Sequence, residues 1–202
     1  MTIPKDSKRA AAAAADWLDV PSVDSDEDRN RRKNLYGLFG LIPKKDAYAT
    51  GPLGEAIVEL FFWASKQDYQ RNPSPVMLEE FGKRKRIEPD GVLVEEHEYI
   101  YVEVKTRAYC SPGTAHEKIP GIPDKYRDVP KKVKVVLLAD DEHKWNRRWA
   151  QEFRGELAID PKNEKAIKQN EFERMVIDEL ILGTDVAKVL REYAETTIEM
   201  GG

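Results

Sequence analysis

The chain has 202 residues, enough for one domain of ordinary size around a single sizeable core. Charged residues make up 35% of it, yet 33 basic side chains stand against 37 acidic ones for a net charge of −4, which excludes nucleic-acid binding through bulk charge and leaves a local basic patch open. The single cysteine, Cys110, excludes an intrachain disulfide framework and a cysteine zinc site and fits a reducing, cytoplasmic setting.

Residues 1–15 carry two lysines and an arginine before six alanines, and Asp16 follows at once. Alanine is too weakly apolar for an export signal, and no window approaches the ~20 apolar residues of a membrane span, so no membrane association is expected. The alanine-rich stretch 7–18 predicts a helix. Residues 19–28, with five acids and Pro21, predict a solvated linker; 34–42 is apolar and glycine-broken, a short helix end or docking segment. Ile57, Leu60, Phe61 and Ala64 recur at helical spacing and predict a helix over 54–66, with Thr50 as cap and Pro52 in the first turn. Residues 71–75 (RNPSP) are a loop.

Residues 91–96 (GVLVEE) and 99–106 (YIYVEVKT) are β-rich runs on either side of a turn at His97-Glu98, the pattern of a hairpin. Residues 134–139 (KVVLLA) predict a strand buried on both faces. A helix over 145–153, a short edge strand over 155–159, and helices over 163–182 and 184–198 parted by Gly183 complete the chain. The expected fold is α/β, a central mixed sheet flanked by helices, as one domain with an N-terminal helical and linker region (1–50), a core (51–140) and a C-terminal helical region (141–202).

The chemistry concentrates in the hairpin. Pro89-Asp90-Gly91 opens its first strand, and Glu103-Val104-Lys105 lies near the end of the second. Side chains at i and i+2 share a strand face, so Glu103 and Lys105 point one way and Val102 and Val104 the other. Folding back brings Asp90 beside Glu103. Two carboxylates and an ammonium at one sheet edge suit Mg²⁺, which takes one or two carboxylates and keeps several waters. Such a cation lowers the pKa of water and neutralises charge building on a phosphodiester, and Lys105 orients the water or stabilises the phosphate.

At Pro89-Asp90 and Glu103-Val104-Lys105 the chain resembles the PD-(D/E)XK nuclease superfamily. The resemblance covers roughly residues 50–140. It implies a restriction-endonuclease-like core in which Asp90 and Glu103 hold Mg²⁺, with Mn²⁺ as a substitute, and Lys105 serves the attacking water. It also implies an acid on the preceding helix: Glu55, which follows a glycine, is preferred, and Glu59 lies one turn on. The run Gly113 to Lys118, then Lys125-Tyr126-Arg127 and a strand, looks similar to the segment after the catalytic lysine in several type II restriction endonucleases. Thr106, Thr114, His116 and Lys118 are candidates there for phosphate contact, Thr114 and Glu117 equally for a capping box.

Lys83-Arg84-Lys85-Arg86 precede the first hairpin strand and form either a phosphate-holding block or a solvated surface. Arg147 and Arg148 are candidates for base contact, while Trp145 and Trp149 share a helix face and belong to a core. Lys131, Lys132 and Lys134 are expected at the surface. His97, His116 and His143 match no zinc spacing. The expected function is Mg²⁺-dependent cleavage of double-stranded DNA by a type II restriction endonuclease. A palindromic target implies a two-fold homodimer, with the alanine helix and the C-terminal helices as pairing or clamp elements. The rivals are a repair, recombination or phage nuclease on the same core and a non-catalytic DNA-binding protein.

Overall fold

The computed structural model describes residues 4–20, 25–45, 47–80, 83–95, 98–106, 119, 121–129, 132–138 and 144–196. The described chain begins with three helices, α1 (Ser7–Leu18), α2 (Asp26–Leu38) and α3 (Thr50–Ala64). Strand β1 (Asp68–Arg71) follows, then β2 (Val76–Glu80), β3 (Lys83–Ile87), β4 (Gly91–Glu95) and β5 (Glu98–Lys105). Helix α4 (Gly121–Tyr126), strand β6 (Val133–Leu137), helices α5 (Lys144–Arg154) and α6 (Glu164–Val176), strand β7 (Ile177–Leu182) and helix α7 (Gly183–Glu195) complete it.

The fold is α/β. Its central sheet is mixed, in the order β1-β4-β5-β6-β7. Antiparallel pairing joins β1, β4 and β5, and parallel pairing joins β5, β6 and β7. Strand alternation divides the apolar residues between two cores. Val102, Val104, Val136 and Ile181 pack with α1, α2, α3 and α7; Val133, Val135, Leu137 and Leu180 pack with α4 and α5. The predicted hairpin is β4–β5, with the turn at 96–97 outside the described residues.

Several expectations need correction. Residues 26–38 are helix α2, so 26–28 are not linker, while 34–38 do form a helix end. Ser25 caps it by accepting the Asp28 amide, and Asp28 is buried, accepting from Trp17 Nε1 at 3.1 Å and Arg32 Nε at 2.7 Å. An acid and a base four apart can be a solvated pair or an interior one, and only the helix packed above them decides which. Thr50 is the first residue of α3 rather than its cap. The N-cap is Ala49, with no side-chain bond; Tyr36 Oη donates to its carbonyl at 2.7 Å, and Arg32 donates to the Tyr48 carbonyl at 2.5 Å.

No strand forms over 155–159. Gly155 takes φ +74°, ending α5, and the amides of Glu156 and Leu157 fold back on the Gln151 carbonyl. The predicted helix 163–182 is α6 followed by β7, whose pairing with β6 leaves Ile177, Leu180, Ile181 and Leu182 buried. The C-terminal region is therefore not wholly helical. Gly183 opens α7 rather than breaking a helix, and Asp185 accepts the Leu182 amide at 2.9 Å. Lys134 is buried, not at the surface, and pairs with Glu179 at 3.1 Å.

The alanine face of α1 does not offer itself for pairing between chains. Ala10, Ala11, Ala14 and Ala15 are fully buried, and α1 packs along α7, where small side chains allow close approach. Among the described residues, no helix is long and apolar enough to cross a membrane.

Candidate active site

Register places the first acid. Gly91 pairs with Val102 across the antiparallel β4–β5 ladder, so the residue before Gly91 lies beside Glu103. Asp90 Oδ2 accepts the Val104 amide at 2.7 Å, which ties the acid to its partner strand. Glu103 and Lys105 share a face as expected, with Lys105 Nζ 2.5 Å from Glu103 Oε1, while Val102 and Val104 turn into the opposite core.

Two residues of α4 complete the surroundings of Glu103. Lys125 Nζ lies 2.6 Å from Oε2, and Tyr126 Oη donates to the same oxygen at 2.7 Å. Lys125 also donates to the Glu88 carbonyl at 2.8 Å, next to the Pro89-Asp90 turn. The sequence reading placed Lys125 and Tyr126 in a segment of interest without assigning them to the site. Both carboxylate oxygens of Glu103 are thus taken by protein donors.

Helix α3 brings the third acid. An added Cβ at Gly54 would stand 2.1 Å from Thr106 Cγ2 and 2.9 Å from Thr106 Cβ. A glycine is required here for α3 to lie against the end of β5, one residue before Glu55. Gly54→Ala should cost about 1–3 kcal/mol by overpacking. Urea denaturation of that variant, alone and with Thr106→Ser to remove the offending methyl, checks it; recovery in the double variant identifies the contact. Thr106 itself is half-buried against α3.

The acids feel one another. Burial, then repulsion from Glu103, raises the Asp90 carboxyl above its ordinary range, against the Val104 amide and the two lysines. Burial and then Asp90 raise Glu55, with Arg71 opposing. Burial would raise Glu103 as well, but Lys105 and Lys125 outweigh it and hold that carboxyl below its usual range. Glu59 faces Arg71 at 3.8 Å. Of the two acids on α3, Glu55 is the one whose carboxyl Asp90 raises.

Tyr69 is a component that sequence reasoning missed. Its ring stacks on Phe62 with centroids 4.9 Å apart, and it occupies the space where a Cβ at Gly91 would stand, 2.2 Å from its Oη. Its hydroxyl is buried and has no hydrogen-bond partner within the described residues. Burial and the charges of Asp90, Glu55 and Glu59 push its ionisation well up, so it stays a neutral donor. Its only signal in the sequence was an apolar body in a short polar strand.

Among the described residues, no three His, Cys, Asp or Glu side chains form a ready metal cage. Asp90 and Glu103, side by side at the end of β5, are oxygen donors of the kind a hard divalent cation takes, and Glu55 lies near enough to Asp90 to be raised by it.

Of the other candidates, Arg86 is exposed and pairs with Glu88 at 2.6 Å. Lys83, Arg84 and Lys85 lie on β3 of a separate two-stranded ribbon, β2–β3, rather than on the central sheet, and their side chains are outside the described part. Arg147 and Arg148 are exposed on α5, with Arg148 2.8 Å from Glu152 of the same helix. Trp149 is core, donating to the buried Glu173 at 3.0 Å. Thr114, His116 and Lys118 lie outside the described residues, as do Cys110, His97 and His143.

The raised acids carry a stability consequence. The folded chain holds protons that the unfolded chain has released, so this contribution is greatest below the ordinary carboxylate range and falls as pH rises through the raised values. Asp90→Asn should therefore be more stable than the parent at neutral pH, and the advantage should disappear in acid. Urea midpoints of both proteins from neutral to acid pH test the sign.

No family model matches the chain, and no curated protein matches it. Among solved structures it is similar to the crystal structure of protein VC1899 from Vibrio cholerae, at 13% identity and a TM-score of 0.43, over 93% of this chain and 50% of that one. The chain spans about half the length of that protein.

Proposed function

We propose that this chain hydrolyses phosphodiester bonds of double-stranded DNA with Mg²⁺, cutting internally at a short sequence as type II restriction endonucleases do. One observation carries the reading: Asp90, bonded to the Val104 amide, stands at the end of β5 where Glu103 and Lys105 lie side by side. Asp90, Glu103 and Glu55 would hold the cation, which supplies an activated water and charge neutralisation when bound. Lys105 stabilises charge gathering on the phosphate oxygens, and Tyr69 orders a neighbouring water. The ribbon β2–β3 comes between β1 and β4 in the chain and ends three residues before Asp90, and its block of four basic residues is the candidate for holding DNA phosphates. A two-stranded ribbon is an element that the major groove admits.

Incubation of plasmid DNA with protein and Mg²⁺, followed by sequencing of fragment ends, tests the proposal. Discrete ends at one short sequence support the site-specific form, and ends set by DNA structure would replace it with a repair or recombination nuclease. The full occupation of Glu103 by Lys105, Lys125 and Tyr126 favours a second reading, a non-catalytic DNA-binding protein. Retained DNA binding with no cleavage of any substrate in Mg²⁺ or Mn²⁺ would establish it instead.

A further inference from the structure

We propose that Lys125 is a phosphate-binding residue of this site, held on Glu103 until a divalent cation takes that carboxylate; the inference rests on the nuclease reading above. Lys105 alone already meets Glu103 Oε1, so Lys125 on Oε2 is a second ammonium on one carboxylate. The two groups differ in access. The Glu103 side chain is 4% exposed, whereas that of Lys125 is 32% exposed and can reach a ligand arriving from solvent.

Charge gives the second ammonium a purpose. Asp90 and Glu103 face Lys105 and Lys125, and Glu55 and Glu59 lie beside Arg71; the four acids and three bases leave one net negative charge. A divalent cation turns this to one net positive charge, which the single charge of a phosphodiester cancels. Without Lys125 the cation-loaded site would be neutral before any phosphate arrived.

Geometry agrees with charge. Were Glu103 to hold a cation, Lys125 would leave its carboxylate, and the Glu88 carbonyl, 2.8 Å from Lys125 Nζ, would keep the ammonium beside the Pro89-Asp90 turn. The Tyr126 ring, 5.0 Å from the same nitrogen, gives it a second resting surface. Lys125 therefore opposes metal binding in the free protein and favours DNA binding in the loaded one.

The test follows those opposite signs in the full chain. Calorimetric titration with Mg²⁺ alone should show Lys125→Met binding the cation about tenfold tighter than the parent, as expected when a competitor for one ligand is removed. Binding of a random-sequence duplex in Ca²⁺ should weaken about tenfold, and the slope of log affinity against log salt should drop by about one. Lys125→Arg, which keeps the charge, should restore both duplex affinity and slope. A purely structural staple predicts weaker Mg²⁺ binding in Lys125→Met and an unchanged salt slope, and either result overturns the proposal. Should Lys125→Met fail to fold, Lys125→Gln carries the same comparison. If the parent itself binds neither Mg²⁺ nor duplex, the nuclease reading fails, and the inference with it.

Discussion

If the chain is the nuclease proposed here, Asp90→Asn and Lys105→Ala should each lower DNA cleavage in Mg²⁺ by roughly 10²–10³-fold or more, while the duplex is still bound. Asn retains an oxygen that can accept the Val104 amide, so the 2.7 Å bond between turn and strand survives and only the charge is lost. Removing a negative charge beside a phosphate does not weaken DNA binding, so for Asp90→Asn a loss confined to the rate separates chemistry from affinity. Lys105→Ala leaves Glu103 with Lys125 and Tyr126, and the carboxylate stays charged and in place. Single-turnover cleavage and duplex binding, measured on both variants, decide the matter; cutting at the parental rate by either would remove these residues from the reaction. The Asp90 substitution also raises stability at neutral pH, as argued above. Lost activity with gained stability is the signature of an acid held against its electrostatic preference for a function.

Asp28→Ala destabilises the fold by about 3 kcal/mol, the usual cost of removing one partner from a buried ion pair. Asp28 and Arg32 are both 8% exposed and lie 2.7 Å apart, and Trp17 Nε1 donates to the second carboxylate oxygen. Alanine would remove from the interior the carboxylate that meets both the Arg32 guanidinium and the Trp17 indole N–H. Asp28→Asn, which keeps an acceptor, costs less. Urea unfolding reads the difference as a lower midpoint at constant slope. The effect extends toward the site, because α2 holds the approach to α3 through Tyr36 on Ala49, and α3 carries Glu55.

The hairpin and its acids were legible because they rest on local rules. Strand alternation puts Glu103 and Lys105 on one face whatever surrounds them, and the register of β4 on β5 sets where Asp90 returns. The bounds of α1 were legible for a similar reason: helix propensity and an Asp6 cap act within a few residues. The contents of a binding site come from further away. Lys125 and Tyr126 lie 22 and 23 residues beyond Glu103, and nothing in their spacing states that α4 will turn them onto its carboxylate. Tyr69 packs against β4 only because Gly91 leaves it room.

By itself, then, the amino-acid order determined the mixed α/β plan, most of the helices, and the side-by-side placement of one acid and one lysine. The tertiary structure alone decided that 177–182 pairs as a strand instead of extending a helix, that the charged run around Asp28 lies inside, and that the alanine face belongs to α7. The physical reason is range. Propensity and alternation act over a few covalent neighbours, whereas burial, backbone pairing and the partner of a charge are settled by groups that approach through space.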